Sequence, residues 1–370
     1  MLANRTTPRI YIAATRQDVG KTTTSIGLVG ALKKRLTRIG YIKPVGQRFV
    51  EIDGHKVDED SVLIGQTYAV ELPIQAMSPI AIGPGVTKHY IDGHIGDNMD
   101  EKVQEAFCRV AWEHDFVVIE GTGHAGVGSV LDLSNAHVAK ILESKVVIVC
   151  PAGIGRSVDE IELNAALFEK HDVEVAGVIV NKVLPDKVDY LRPYLEKAFH
   201  KMGYPLLGII PLNQDLPKPT LNQVSQELKG EFVAGEHLKT RWVDRVMIGA
   251  ASSRNADIYF NSGTLIITAG DREDLILTIM EAYEGDPAMD ISGVVLTQGF
   301  LPQPGLLKIM RERPIPFISV PYDSYTAASR INNMTVKTEL GNETKIRLIQ
   351  DMIEKHVDLD RMIKAANLKD

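Results

Sequence analysis

The stretch Ile10-Tyr-Ile-Ala-Ala-Thr-Arg-Gln-Asp-Val-Gly-Lys-Thr-Thr-Thr-Ser25 determines the fold of the first half of the chain. It begins as a buried strand, continues through a polar loop and ends in a helix that starts near Gly20. In that context successive backbone N–H groups and the positive end of the helix point at a phosphate. Lys21 reaches the β- and γ-phosphates, and the hydroxyl of Thr22 ligates Mg²⁺. The stretch therefore predicts a nucleoside triphosphate site for ATP and Mg²⁺.

The loop departs from the common phosphate-loop pattern at one position. Thr15 stands where Gly-x4-Gly-Lys-Ser/Thr has its first glycine. The alternative interpretation is an ordinary helix start with a surface lysine, but the preceding strand and the following helix both favour the phosphate site. The expected nucleotide contacts in this loop are Asp18, Val19, Gly20, Lys21, Thr22 and Thr23.

Short apolar runs and amphipathic stretches alternate over the first 212 residues. Several runs are continuous Val/Ile segments, which is typical of strands buried on both faces. Strands are expected at 10–14, 41–45, 116–120, 145–150, 175–181 and 206–210. Helices are expected at 23–35, 101–114, 136–143, 158–170 and 187–202. This order predicts an α/β fold with a mostly parallel sheet and helices on both faces.

A proline-rich break separates a second, smaller α/β domain. Residues 211–219 include three prolines, which indicates a short and fairly stiff linker at 213–219. The second domain is expected over 220–343 and a helical tail over 344–370. Its strands are expected at 245–248, 264–268, 291–296 and 317–320, and its helices at 221–228, 271–283, 306–313 and 325–332.

Bulk composition excludes several classes of partner. The 41 basic and 48 acidic side chains give a net charge of −7, so nothing favours general attraction to nucleic acid or an anionic membrane. No apolar run approaches the roughly 20 residues that span a bilayer, and the N-terminus lacks the apolar core of a signal peptide. Cys108 and Cys150 cannot build a disulfide framework or a cysteine metal site. We expect a soluble, cytoplasmic protein.

The loop resembles that of dethiobiotin synthetase and its relatives. Those enzymes also lack the first glycine and carry an acidic residue where Asp18 stands. Further matches follow in the same order along residues 8–212: Lys43-Pro44-Val45, Asp60-Ser61-Val62-Leu63, Phe116-Val-Val-Ile-Glu-Gly121, Asp132-Leu-Ser-Asn135 and Val180-Asn181-Lys182. The resemblance implies a P-loop NTPase-type domain, and the series is far more specific than any single motif.

The resemblance also implies roles for residues outside the loop. Thr22, Asp60 and Glu120 would ligate Mg²⁺, and hard oxygen ligands suit that ion. Lys43 would join Lys21 as a catalytic cation at the γ-phosphate. Asn181 would contact adenine. Each of these residues also has a purely structural interpretation, which is a helix cap for Asp60, a surface position for Lys43 and a strand-end turn for Asn181.

Two loops depart from the synthetase pattern. Gly46-Gln47-Arg48 replaces the diamine site, and the glycine-rich Thr122–Ser129, which contains His124, follows Glu120-Gly121. The latter resembles instead the N-terminal region of long phosphotransacetylases, so no carboxylation of diaminononanoate is expected. Arg16 stands where partition-type ATPases place a lysine that reaches across a dimer; the alternative is a solvated loop arginine.

Residues 220–335 resemble the DRTGG domain. The resemblance rests on 228–236, 246–251, 262–274 and 323–326, with Asp271-Arg272 followed by Glu-Asp in place of the full Asp-Arg-Thr-Gly-Gly. Gly270-Asp271 is either a turn with a helix N-cap or a ligand contact. Long phosphotransacetylases begin with the same two-domain order, so the chain looks like a free-standing version of their regulatory half.

The favoured hypothesis is a nucleotide-dependent regulator that hydrolyses ATP slowly or not at all and acts on a partner protein. An ATP-dependent ligase that phosphorylates a small-molecule carboxylate is the alternative, and a dimer-switching ParA-like ATPase is a third.

The resembling families pair their domains, closed dimers are common, and the segments 127–133 and 275–280 offer surplus apolar surface. We therefore expect a homodimer.

Overall fold

The structure is a computed structural model that describes Asn4 and residues 6–94, 98–112, 114–256, 260–285 and 290–366. It divides into two compact units, which are described separately. The first contains Met1–Leu212 with Glu339–Asp370, and the second contains Asn213–Thr338. Among the helices of the described ranges, none has the length and apolar character needed to cross a membrane.

Among the residues that the structure describes up to 212, the first unit contains ten strands and eight α-helices. The strands are β1 (Arg9–Ala14), β2 (Ile39–Ile42), β3 (Val45–Gly46), β4 (Phe49–Ile52), β5 (His55–Asp58), β6 (Ile80–Ala81), β7 (Phe116–Glu120), β8 (Lys145–Pro151), β9 (Val175–Val183) and β10 (Leu206–Pro211). The helices are α1 (Lys21–Lys33), α2 (Glu59–Thr67), α3 (Ile74–Met77), α4 (Val86–Ile91), α5 (Met99–Ala111), α6 (Asn135–Ile141), α7 (Gly155–Lys170) and α8 (Val188–Met202).

A six-stranded parallel sheet in the order β10-β9-β8-β1-β7-β2 is the centre of this unit. Tyr11 and Ala13 on β1 pack with α5, α6 and α7 on one face. Ile10 and Ile12 alternate with them and are equally buried, so they point to the opposite face, where α1 contacts β1 and β7. The expected parallel α/β sheet is confirmed, because its strands are the Val/Ile runs found in the sequence.

The structure differs from the sequence expectation between residues 41 and 58. The strand expected at 41–45 ends at Ile42, because the N–H of Lys43 bonds to the carbonyl of Met77 and Pro44 has no N–H to donate. A β4–β5 hairpin follows that the sequence analysis did not predict. Its turn is Asp53-Gly54 with φ of 50° and 76°, a dipeptide that signals a tight hairpin turn.

The second unit has a five-stranded sheet. Its elements are α9 (Leu221–Glu227), β11 (Glu231–Ala234), β12 (Arg245–Ile248), α10 (Ser253–Ala256), β13 (Thr264–Ala269), α11 (Glu273–Gly285), β14 (Gly293–Thr297), α12 (Pro304–Arg311), β15 (Phe317–Ser319) and α13 (Ser324–Asn333). The order is β11-β15-β14-β13-β12, with β11 antiparallel and the others parallel. Helices α11 and α12 pack on one face and α9 and α13 on the other.

The last part of the chain returns to the first unit. It forms α14 (Glu343–His356) and α15 (Leu359–Ala366), where the sequence analysis expected one separate tail helix. Helix α14 packs against α1, whose Gly27 and Gly30 leave room for it. The hydrophobic faces of α14 and α15 are therefore buried within the first unit.

The two apolar segments offered as surplus surface are mostly covered. Leu131 and Leu133 are buried in the first unit, and Leu275, Ile276 and Ile279 are buried in the second. Val130 and Leu277 remain about half exposed, at 47% and 50%. The segments therefore give no support to the expected dimer, because each is packed inside its own unit.

The close packing of α1 on α14 generates a stability prediction. A Cβ at Gly27 would overlap Cγ1 of Ile353 and lie 3.0 Å from the carbonyl oxygen of Ile349. Gly27→Ala must therefore push the two helices apart, and such overpacking costs about 1–3 kcal/mol. Thermal unfolding should show a lower Tm, by about 2–4 °C for each kcal/mol.

The matched control is Gly155→Ala in the first turn of α7, where an added Cβ meets nothing within 4 Å. Both changes bring a gain in helix propensity, so the difference between them reports the packing. Equal melting temperatures for the two variants would contradict the prediction.

Candidate functional site

The loop between β1 and α1 has the geometry expected of a phosphate-binding loop. Gly20 adopts a left-handed conformation with φ of 95° directly before α1, and a Cβ there would collide with the amide of Asn181. Helix α1 begins at Lys21, so Lys21, Thr22 and Thr23 lie in its first turn. The first N–H groups of a helix have no partner within that helix and attract anions.

Three oxygen-bearing side chains meet behind this helix start. The Oγ1 of Thr22 lies 2.8 Å from Oε1 of Glu120 and 3.1 Å from Oδ2 of Asp60. Glu120 ends β7 and Asp60 lies in the first turn of α2. The structure thus brings together all three residues that the sequence analysis proposed as Mg²⁺ ligands.

The donor set fits Mg²⁺ only in company with other ligands. Among the described residues, no group of three or more His, Cys, Asp and Glu side chains is arranged to hold a metal. Two carboxylates and a hydroxyl leave coordination positions that phosphate oxygens and water would fill, and this sharing is typical of Mg²⁺. The site therefore suits a metal that arrives with a nucleotide.

Lys43 lies within this carboxylate cluster. Its Nζ is 2.9 Å from Oδ1 of Asp58 and 3.9 Å from Oε1 of Glu120, and it also bonds to Asp60. The side chain of Lys43 is only 10% exposed. It is a buried cation, and the interpretation as a surface lysine does not hold.

Asp58 is a residue that the sequence analysis missed. It is the N-cap of α2, and its carboxylate accepts the N–H of Asp60 at 2.9 Å. The helix-cap role considered for Asp60 therefore belongs to Asp58, which leaves the Asp60 carboxylate turned toward Thr22 and Lys43. The acidic triplet Asp58-Glu-Asp60 is the signal that could have found it.

Burial dominates the protonation equilibria of the cluster. Burial raises the pKa of Glu120, and the nearby charge of Asp60 raises it further. Burial also raises the pKa of Asp58. For Lys43, burial lowers the pKa, but Glu120, Asp60 and Asp58 together outweigh burial and the pKa lies above its ordinary value. Lys43 faces three carboxyl groups and Lys21 interacts with two of them, so the carboxyl groups outnumber the cations and a dication would add the missing positive charge.

Two further residues border the cluster. Tyr41 donates its hydroxyl to Oε2 of Glu120 at 2.9 Å, so it fixes the other oxygen of that carboxylate. Burial lowers the pKa of Lys21, while Glu120 opposes the shift. Tyr41 was not proposed from the sequence, because a tyrosine within an apolar strand has the pattern of a core residue.

The remaining loop residues lie in different surroundings. Val19 is buried, and Asp18 has φ of 59° and accepts a hydrogen bond from Lys182 at its carbonyl. Arg16 is 46% exposed and its Nε is 3.8 Å from Glu160. Thr15, in place of the first glycine, donates its hydroxyl to Glu160 at 2.7 Å.

Asn181 lies against the loop. Its Nδ2 donates to the carbonyl of Val19 at 2.8 Å, and its Oδ1 accepts the N–H of Lys182 at 2.8 Å. The structure thus places Asn181 beside Gly20, and its contact with adenine stays a prediction.

The glycine-rich loop after Glu120 is held by Asn135. The Oδ1 of Asn135 accepts from Tyr11 and from the N–H of Thr122, and its Nδ2 donates to the carbonyls of Thr122 and His124. The His124 side chain is exposed, and its Nδ1 accepts the N–H of Gly126. In this structure the histidine ring bonds to its own loop.

In the second unit, the Asp271-Arg272 pair lies at a tight turn. A Cβ at Gly270 would collide with the carbonyl of Phe300, so only glycine fits. Helix α11 begins two residues after Asp271, whose carbonyl accepts the N–H of Glu273. Arg272 bonds to both oxygens of Asp274, at 2.8 and 3.0 Å, and the bond lowers the pKa of Asp274 to about 2. The turn is present, but Asp271 is not the N-cap.

Comparison with known proteins identifies both domains. The family model described as AAA domain matches residues 8–220, which is more than half of the chain. The chain belongs to this AAA domain family. The DRTGG domain matches residues 223–334, so the two resemblances seen in the sequence are confirmed.

Curated relatives of this AAA domain protein include phosphate acetyltransferases. That of Pseudomonas putida is 28% identical over 363 residues, which cover 94% of this chain and 50% of the relative. That of Nitrosomonas europaea is 26% identical over 369 residues, which cover 96% and 51%. The chain therefore spans about half the length of the curated relatives it matches.

Solved structures match the fold only weakly. The MinC:MinD cell division protein complex of Aquifex aeolicus gives a TM-score of 0.36 at 18% identity, over 56% of this chain and 83% of that chain. The CBS and DRTGG domains of Clostridium perfringens pyrophosphatase, complexed with diadenosine tetraphosphate, give 0.28 at 14% identity, over 45% and 84%.

The charge excess in the cluster generates a pH-dependent prediction. Lys43→Met leaves the buried carboxyl groups of Asp58 and Glu120 without their cation, so the pKa values of both rise further above those of the unfolded chain. A carboxyl group whose pKa is higher in the folded than in the unfolded protein lowers the free energy of unfolding as the pH rises from the unfolded pKa through the folded pKa. The fall in unfolding free energy relative to wild type should therefore be about 3 kcal/mol or more near pH 8 and much smaller at about pH 5. Chemical denaturation at both pH values measures it.

Lys145→Met is the control for this comparison. Lys145 pairs at 3.1 Å with Glu174, whose side chain is 60% exposed, so its loss should have a small effect that varies little with pH. If Lys43→Met lowered the unfolding free energy by the same amount at both pH values, the prediction would be contradicted.

Proposed function

We propose that the first unit binds ATP with Mg²⁺, and that nucleotide occupancy, with slow or absent hydrolysis, regulates a partner protein. The observation that carries the proposal is the hydroxyl of Thr22 between the carboxylates of Asp60 and Glu120, one residue beyond Lys21 at the start of α1. A helix start alone would attract any small anion. A helix start with a lysine and an oxygen site for a divalent ion suits a metal-bound polyphosphate.

The distribution of charge supports the same ligand. The charge of Lys43 contributes to the lowered pKa of Lys21, so a polyanion between the two lysines would relieve their repulsion. Bound Mg²⁺ would supply positive charge at the phosphate oxygens. Asp58 keeps Lys43 in place through a 2.9 Å ion pair, and Tyr41 orients Glu120.

The relatives suggest where such a regulator would act. Their name, phosphate acetyltransferase, describes a reaction of an acetyl group with phosphate, and the alignment takes in about half of their length. We therefore place the regulated partner in acetyl-phosphate metabolism. The homodimer, the cross-dimer role of Arg16 and the carboxylate substrate of the alternative ligase hypothesis stay predictions.

Lys21→Ala tests the nucleotide site. A lost charge-assisted phosphate contact should weaken Mg·ATP binding by about 10- to 100-fold, while the melting temperature of the free protein should change little. Isothermal calorimetry measures the affinity. Lys187→Ala is the control, because the side chain of Lys187 is 56% exposed and pairs with the neighbouring Asp186. Equal affinities for Lys21→Ala and wild type would refute the nucleotide site.

Asp60→Asn and Glu120→Gln test the metal site. Both residues are proposed to act through the ion, so ATP affinity should lose most of its dependence on Mg²⁺, while the affinity measured in EDTA should stay equal or rise as negative charge is removed. Asp115→Asn, whose carboxylate bonds to Arg38 at the surface, should behave like wild type. Superimposable Mg²⁺ titrations of ATP binding for all variants would show that the metal assignment is wrong.

A further inference from the structure

Asn181 and Lys182, near the end of β9, bond to consecutive carbonyl groups of the phosphate loop. Asn181 donates from Nδ2 to the carbonyl of Val19 at 2.8 Å, and Lys182 donates from Nζ to the carbonyl of Asp18 at 2.7 Å. The two side chains are also joined to each other, because the N–H of Lys182 bonds to Oδ1 of Asn181. We call this pair the β9 clamp.

The β9 clamp controls the direction of the loop's N–H groups. A trans peptide group is planar, with its C=O and N–H pointing in opposite directions. The carbonyl of Asp18 shares a peptide group with the N–H of Val19, and the carbonyl of Val19 shares one with the N–H of Gly20. Because both carbonyls are held by β9, both N–H groups must point away from β9. An anion-binding loop needs such consecutive N–H groups aligned on one side.

Backbone conformation indicates that this arrangement is enforced. Asp18 and Lys182, which bond to each other, have φ of 59° and 60°, a region that non-glycine residues rarely adopt. Gly20 has φ of 95°, and Asn181 occupies the space that a Cβ of Gly20 would fill. Outliers of this kind persist where the surroundings fix them, and they concentrate at functional sites.

We propose that Asn181 and Lys182 are positioning residues that fix the phosphate loop in its binding shape before the nucleotide arrives. The inference rests on the proposed nucleotide site and assigns Asn181 a role beyond contact with the base. The two roles are compatible, because Nδ2 has a second hydrogen and Oδ1 a second lone pair. They differ in the part of the nucleotide whose binding is weakened when the side chain is removed, which is the phosphates for the positioning role and the base for the contact with adenine.

Inorganic tripolyphosphate separates the two roles, because it has the phosphates of ATP and no base. For Asn181→Ala, the affinity for Mg·tripolyphosphate should fall on the order of 3- to 10-fold, as expected for one lost hydrogen bond, and the affinity for Mg·ATP should fall by at least the same factor. Lys182→Met should lower both in the same way. Lys187→Met, a change of the same type at a lysine outside the β9 clamp, should lower neither.

Hydrogen exchange of the free protein gives a second measurement that needs no ligand. In Asn181→Ala and in Lys182→Met, the amides of residues 16–22 should exchange faster than in wild type, while those of β8 should not change. Lys182 is exposed, so Lys182→Met provides this measurement even where Asn181→Ala fails to fold.

The outcomes separate the inference from the proposed function. Unchanged loop exchange would overturn the β9 clamp, and so would faster exchange with unchanged tripolyphosphate affinity. Weaker ATP binding with unchanged tripolyphosphate binding would also overturn it, since Asn181 would then act on the base alone. Wild-type protein that binds neither ligand would refute the proposed function, and the exchange data would still decide whether Asn181 and Lys182 hold the loop.

Discussion

The left-handed backbone of Gly20 is the constraint on which the first unit depends. No side chain fits at this position, because Asn181 fills the space. The conformation ends the loop and starts α1, so it sets the position of Lys21 and Thr22 relative to β7 and α2. The same loop conformation therefore determines two features. It turns the loop carbonyls toward β9, and it places Thr22 among the carboxylates. The first feature orients the N–H groups of the loop, and the second positions the oxygen ligands.

The carboxylate cluster lowers the stability of the folded state. Burying Asp58 and Glu120 raises the pKa of each, which means that folding works against their charges. Lys43 compensates only part of three carboxyl groups. A buried apolar group at Glu120 would avoid that cost, and the presence of a carboxyl group there is consistent with the proposed Mg²⁺ site. Within the cluster Asp58 holds Lys43 through an ion pair, and Tyr41 fixes Glu120 through a hydrogen bond.

Local sequence pattern predicted most of the fold, and tertiary packing accounts for the rest. Central strands such as residues 145–150 were predictable because parallel strands buried on both faces form unbroken Val/Ile runs, whereas β2, which has a glycine and a tyrosine, lies at Ile39–Ile42 instead of 41–45. Thr22, Asp60 and Glu120 were found together because their motifs occur in order along the chain. Asp58 was missed since a cap and a ligand two residues apart look alike in sequence. The Lys182 contact was missed because a long side chain on a strand carries no directional signal.

The return of the C-terminal helix could not be seen in local pattern, yet it affects the site. Helix α14 packs on α1 next to Gly27, and Gln350 donates to the hydroxyl of Tyr68, which donates to the carbonyl of Ile26 in α1. Tyr68 is the C-cap of α2, the helix that presents Asp60. One C-terminal helix therefore contacts both helices whose first turns supply Thr22 and Asp60. Because protein interiors are close-packed, α14 helps to fix the positions of the two helices that present Thr22 and Asp60.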